Sequence, residues 1–211
     1  MFSVGAGRFP LTFYYQIVST LGCSIEVLTA IANIIDIVLK TDISDDPQSI
    51  EMIEKLERSL KYSQQKAPVD SLTVSGSFNS IEQIQNIAEL YRISGLIYLH
   101  RATRGIALPN QLVLQRLVND AFDILGKLET CERTFPLFIA GCEARGDFQR
   151  GTILRILSAT QSQFAPGHSL RVRQYIERFW AQDDLDVNQE IDYSLKVTAV
   201  LSAAGSLPTF T

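Results

Sequence analysis

The run Phe135-Pro136-Leu137-Phe138-Ile139-Ala140-Gly141-Cys142-Glu143-Ala144 constrains this chain more than any other stretch. Laid on a helix, its apolar side chains surround the axis instead of forming a stripe. A helix apolar on every side has to be buried among others. Pro136 fits the first turn, where its missing N–H would have no intrahelical acceptor. Gly141 is worse than Ala inside a helix by about 1 kcal/mol, so its presence predicts a second helix packed closely against it. Gly146 offers the left-handed position that ends a helix, and Asp147 can cap the next.

The rest of the sequence supplies the helices that such a segment needs. Residues 1–10, with Gly5, Gly7 and Pro10, are expected to be disordered. Leu11–Leu21 reads as a short helix, although Thr12, Phe13, Tyr14, Tyr15 and Ile17 fit a strand too. Ser24 can cap a helix in which Val27, Leu28, Ile31, Ile35 and Val38 follow helical spacing. Ile25, Ala32, Ile34 and Leu39 widen that face until the whole helix reads as buried. Asp46-Pro47 is a cap followed by proline at the first helical position. The helix it opens carries a narrow stripe of Ile50, Ile53, Leu56 and Leu60 backed by charge, the pattern of a surface helix. Gln64–Ser80, with Pro68, Gly76 and no apolar period, reads as a long exposed loop.

The longest helix is expected from Ser80 to about Thr103, with Ile84, Ile87, Ala88, Tyr91, Gly95 and Tyr98 on one face. Arg101 and Arg104 suit the negative end of its dipole, and Gly105 can stop it. Leu114, Leu117, Val118, Ala121, Leu125 and Leu128 mark another helix after Pro109. Beyond the central segment, Ile153, Ile156, Leu157, Thr160 and Phe164 give a helix from near Asp147 that Pro166-Gly167 breaks. Val172, Tyr175, Ile176, Phe179 and Trp180 give the next, with arginines outside. Asp183, Asp184 and Asp186 lead into a last helix to about Ala203. No βαβ unit is present. The expected class is all-α, an irregular bundle of about eight or nine helices. It forms a single helical domain over 11–205 with an exposed loop near 64–80, and 206–211 is a tail.

Composition narrows the function classes. Free nucleic-acid binding needs a basic surface, and a formal net charge of −4 makes this chain alone a poor candidate for it. Three cysteines, Cys23, Cys131 and Cys142, form neither a disulfide framework nor a zinc spacing, and fit a reducing compartment. The apolar run Phe9–Leu39 is broken by Gln16, Glu26, Asn33 and Asp36, which argues against a membrane span.

No catalytic constellation emerges, and no cofactor or metal site is expected. His100 lies at a helix end, where the dipole favours a cation, and His168 in a Pro-Gly turn. Cys142 is inside the most apolar helix, where a thiol is packing. Glu143 is placed to pair with Arg145 or Arg150. The aspartates 183, 184 and 186 are too bunched for a calcium loop, and no phosphate-cradling glycine motif occurs. What remains is a helical body that can enclose a lipophilic pocket, with Tyr91, Tyr98, Phe138 and Cys142 as candidate lining residues. Core packing is the simpler account of the same four.

Three ordered stretches carry a family resemblance. Leu21-Gly22-Cys23-Ser24-Ile25-Glu26-Val27-Leu28 resembles the opening signature of the fungal-specific transcription-factor domain. Ala88-Glu89-Leu90-Tyr91-Arg92 with Leu96-Ile97-Tyr98-Leu99-His100-Arg101 resembles its central helix. Phe135–Arg145 is similar to its most distinctive stretch, with Phe135 where tryptophan is common. Arg150 and Arg173-Gln174-Tyr175-Ile176-Glu177-Arg178-Phe179-Trp180 fit its closing pattern.

The resemblance implies a non-catalytic regulatory domain of a fungal zinc-cluster transcription factor, in the nucleus or shuttling to it. In such proteins a separate six-cysteine, two-zinc module contacts DNA, and in sterol-responsive members the helical domain binds a lipophilic ligand. The six-cysteine module is missing here. The chain is then either the C-terminal part of a longer protein or a shortened relative that does not bind DNA itself. Expected partners are a small lipophilic effector, transcriptional proteins or a second copy. The alternative is a helical interaction scaffold without ligand, dimerising through an apolar patch on the outside of the Val172–Trp180 helix.

Overall fold

A computed structural model describes residues 13–39, 47–67, 78–103, 111–164 and 167–185. Among them the order is β1 (Phe13–Gln16), α1 (Ile25–Leu39), α2 (Pro47–Tyr62), β2 (Ser63–Lys66), α3 (Phe78–Ala102), α4 (Gln111–Lys127), α5 (Thr134–Cys142), α6 (Asp147–Gln163) and α7 (Gly167–Leu185). The class is all-α, with seven helices among the described residues. The helix expected up to Ala203 lies outside them from residue 186, as do residues 1–12 and the 206–211 tail.

Between Leu11 and Leu21 the strand alternative holds. β1 pairs in parallel with β2, in the register Phe13↔Ser63 to Gln16↔Lys66. β2 occupies the start of what the sequence reads as a loop, and α3 begins at Phe78, so only 68–77 of that stretch lie outside the description. A strand of Ser-Gln-Gln-Lys has no apolar alternation to reveal it. Its pairing is by backbone and by one side chain: Gln65 accepts from Ser24 N at 2.7 Å and donates to the Ala88 carbonyl at 2.5 Å. Between β1 and α1 the chain turns through Gly22, whose φ of +80° favours glycine. A Cβ there would also meet Arg133 Nε at 2.8 Å. The Ser24 hydroxyl then caps α1, accepting from Val27 N at 3.3 Å.

α1 is buried on one side only. Val27, Ala30, Ile31 and Ile34 enter the core, whereas Ala32 is exposed and Ile25 is 59% exposed. The expectation of a buried α1 holds only for one face, which packs on α2 and α3 among the described residues. α2 behaves as its stripe predicts, burying Ile53, Leu56 and Leu60.

α3 is the hub, in contact with α1 and α2 on one side and α4 and α5 on the other. At Gly95 a Cβ would sit 3.0 Å from Ile31 Cγ1 and 3.3 Å from Leu60 Cδ1, so α1 and α2 approach there at near-contact distance. α5 is the segment the sequence puts at the centre, and all of its residues are buried. The close neighbour predicted at Gly141 is α7. A Cβ on Gly141 would lie 2.5 Å from Ile176 Cδ1 and 2.8 Å from its Cγ1. Across the same contact Trp180 Nε1 donates to the Gly141 carbonyl at 2.7 Å.

Four local readings are corrected. Gly146 does not end α5 in a left-handed conformation; at φ −101° and ψ 159° it is the extended N-cap of α6, and Asp147 is the first helical residue. Gln149 does the capping work, its Oε1 accepting from Arg145 N at 3.0 Å and Gly146 N at 3.5 Å. Asp183 and Asp184 close α7 instead of opening a further helix, held by Arg145 and Arg150. Phe164 is 41% exposed, past the end of α6. The apolar residues Val172 to Trp180 all turn inward while Arg171 and Arg178 face out, so the outer side of α7 is not the apolar patch expected there.

Gly141→Ala tests the α5–α7 contact. It gains helix propensity but overpacks Ile176, and a net loss of about 2 kcal/mol by urea unfolding is expected. Ile176→Val, which removes Cδ1, should restore part of that loss in the double variant.

Candidate functional site

Two of the four lining candidates, Tyr91 and Tyr98, meet α5 at Phe135: Tyr91 stacks on that ring with centroids 6.2 Å apart and planes at 15°, and Tyr98 meets it edge-on at 6.4 Å. Phe138 turns the other way, edge-on to Tyr175 of α7 at 6.5 Å. Cys142 follows on the Phe138 face, one turn on. Tyr91, Phe138 and Cys142 are buried and Tyr98 is partly exposed at the rim. Burial pushes the Tyr91 and Tyr98 hydroxyls above the usual phenol range, so both stay neutral and keep a proton to donate.

Ser94 was not legible as a site residue. It lies three residues after Tyr91 and four before Tyr98, on the same part of the helix surface. It is fully buried, and its hydroxyl has no hydrogen-bond partner among the described residues. Leaving a buried hydroxyl unpaired costs about 1–3 kcal/mol. Phe135, the ring that organises the seam, appears in the sequence only as one of several aromatics.

Clefts open elsewhere among the described residues, and none of the four candidates lines the two described next. A groove of about 920 Å³ runs between α1 and α2. Its walls include Ile25, Met52 and Leu56 with Glu26, Asp36 and Glu51. A smaller cleft of about 240 Å³ lies where the ends of α3 and α5 meet the starts of α4 and α6. There Arg101 Nε and Nη2 donate to the Glu143 carboxylate at 2.9 and 2.7 Å. Glu143 therefore pairs with neither Arg145 nor Arg150, its expected partners. Those two tie instead to α7, Arg145 to Asp183 and Arg150 to Asp184 at 2.8 and 2.7 Å. Arg150 also covers the Trp180 ring at 5.2 Å.

The titratable groups are placed for packing. Burial pushes the Cys23 thiol up to about 12 and the Cys131 thiol up to about 11. Neither supplies thiolate near neutral pH, and the thiolate is the nucleophile. Cys142 is buried within α5. Among the described residues no three His, Cys, Asp or Glu side chains converge as a metal site. No helix among them is long and apolar enough to cross a membrane.

His100 differs from the cation expected at a helix end. Burial lowers its pKa below the usual imidazole value, against the raising influence of Glu57 at 3.8 Å. The unfolded chain then binds the proton more strongly. Stability from this group is full above pH 6.5 and is lost as pH falls through the lower folded-state value. Thermal melts from pH 7.5 to 5 should show a fall in Tm that His100→Gln flattens.

Comparison with known proteins places the fold in a family. The profile of the fungal specific transcription factor domain matches residues 9–201. Transcription factor iacI of Pestalotiopsis fici is 31% identical over 142 residues, which is 67% of this chain and 36% of that protein. The chain thus matches about a third of the length of this relative. No solved structure matches. A profile match across nearly the whole chain, on a helical body whose α3 and α5 carry the matching stretches, leaves one assignment: the chain belongs to the fungal-specific transcription factor domain family.

Proposed function

We propose that this chain is a non-catalytic regulatory domain acting in transcription in the nucleus, and that a lipophilic effector received between α3 and α5 is its input. The observation that carries the effector reading is the Ser94 hydroxyl, buried without a partner on the face of α3 that holds Tyr91 and Tyr98. An orphaned polar group in an aromatic seam is destabilising in the empty protein and becomes an asset when a ligand hydroxyl meets it. Tyr98, at the rim, is the ring that would swing to admit the ligand. Tyr91, Phe138 and Cys142 would form the inner wall. Burying about 300 Å² of apolar ligand surface yields roughly 7 kcal/mol before the entropic losses of association. A net charge of −4 makes this domain itself a poor nucleic-acid binder, in keeping with a regulatory role.

A second reading, an interaction scaffold, is favoured by the α1–α2 groove. Ile25 and Met52 stand 59% and 52% exposed beside Glu26 and Glu51. An amphipathic partner helix with basic flanks fits apolar residues rimmed by acid.

Thermal shift separates the two. A sterol or a long-chain alcohol is expected to raise Tm by several degrees. Ser94→Ala should stabilise the empty protein by about 1–2 kcal/mol and reduce that shift. No shift with any lipid, and none copurifying, would remove the effector reading and leave the scaffold.

A further inference from the structure

The groove between α1 and α2 carries its charge in a pattern that specifies what it can receive. Ala30 and Leu56 line it from buried positions, and Ile25 and Met52 from exposed ones. Glu26, Asp36 and Glu51 line it as well, all three exposed. Among the described residues none of these carboxylates is in an ion pair, unlike Glu143, Asp183 and Asp184. Lys55 is the only cation of the lining among the described residues, so negative charge is in excess. Glu26 lies in the first turn of α1, where the dipole favours an acid. Asp36 lies in the last turn, where the dipole opposes one, and that turn holds no basic residue. The rise of a helix puts about 15 Å between the two, with Thr29 and Asn33 between them on the same face. A groove walled by two helices takes a third along its length.

We propose that the α1–α2 groove docks an amphipathic partner helix with basic residues about ten positions apart, one set against Glu26 and the other against Asp36, and its apolar stripe on Ile25 and Met52. This rests on the scaffold reading of the groove and adds the partner's charge spacing and length. The helix covers exposed apolar side chains and brings the cations that the groove lacks. At Asp36 it also relieves a carboxylate that works against its own helix. A second copy docked groove to groove would set acid against acid, so the occupant is a different basic segment. The apolar stripe supplies most of the affinity, and the acids at the rim select the partner and its register.

The test uses the full chain, isotope-labelled at the methionine methyls for NMR; Met52 is one of two methionines, so its signal reads the groove directly. The probe is a synthetic helical peptide of about 18 residues with leucines at helical spacing and a lysine pair near each end, compared with versions carrying glutamine or glutamate for lysine. The lysine peptide is expected to bind saturably, to shift the Met52 methyl, and to weaken by about tenfold between about 50 and 300 mM salt. The glutamine peptide should bind about fivefold weaker, and the glutamate peptide weaker still. Met52→Ser should cost about tenfold in affinity while leaving the fold intact, since the side chain is exposed. Glu26→Lys with Asp36→Lys should reverse the order and favour the glutamate peptide. Should that variant not fold, Glu26→Gln with Asp36→Asn should bring the lysine and glutamine peptides to equal affinity. Equal binding of those two peptides by the unaltered chain would overturn the proposal and leave an apolar docking groove; no binding of any of the three would remove the scaffold reading as well. A Met52 shift that follows protein concentration without peptide, with a dimer in sedimentation, would assign the groove to a second copy and overturn the proposal too.

Discussion

The structure depends on the burial of α5. A helix apolar on every side has no face to give to water, so its stability comes from enclosure. α3, α4, α6 and α7 provide that enclosure. The tightest of these contacts is at Gly141, where the backbone of α5 and the side chains of Ile176 and Trp180 on α7 come together without an intervening Cβ. The hydrogen bond from Trp180 to a carbonyl inside α5 adds direction to packing that would otherwise be free to slide. The ion pairs from Arg145 and Arg150 then fix the far end of α7. α7 is thus held along its length by packing, by a buried hydrogen bond and by surface charge.

This arrangement divides the molecule by chemistry. The α3–α5 seam is aromatic. The end of the bundle is ionic. The α1–α2 side is amphipathic and, among the described residues, forms an open groove.

Helical periodicity made most of the fold legible. The stripe of α2, the length of α3 and the inward face of α7 all follow from the spacing of large apolar residues. The glycine at 141 was readable because a residue that weakens a helix needs a reason to be there. Features fixed by contacts distant in sequence were not readable. Glu143 has two arginines within seven residues and pairs with neither, because Arg101 reaches it from α3. His100 sits where a dipole favours charge, but burial against α2 outweighs the dipole. Gly146 and Asp147 have the composition of a stop and a start, and Gln149 shifts that boundary by a residue. In the candidate site the four proposed lining residues were readable as apolar helix positions. Phe135 as the common partner of Tyr91 and Tyr98, and Ser94 as the unmatched group among the described residues, were not, since both depend on which elements α3 meets.

The two short strands have a consequence of a different kind. Ser-Gln-Gln-Lys offers no hydrophobic face, and without one a strand pair can slip along its partner. Here the register is pinned from the side. Gln65 reaches Ser24 N with its oxygen and the Ala88 carbonyl with its nitrogen, and Lys66 Nζ lies 3.8 Å from the Tyr14 ring centroid. A slip of a single residue would turn Gln65 to the opposite face of the pair and break both of its bonds. One amide therefore works as a positional key: it aligns the first strand, the start of α1 and the middle of α3 at one point, joining segments that chain connectivity leaves far apart.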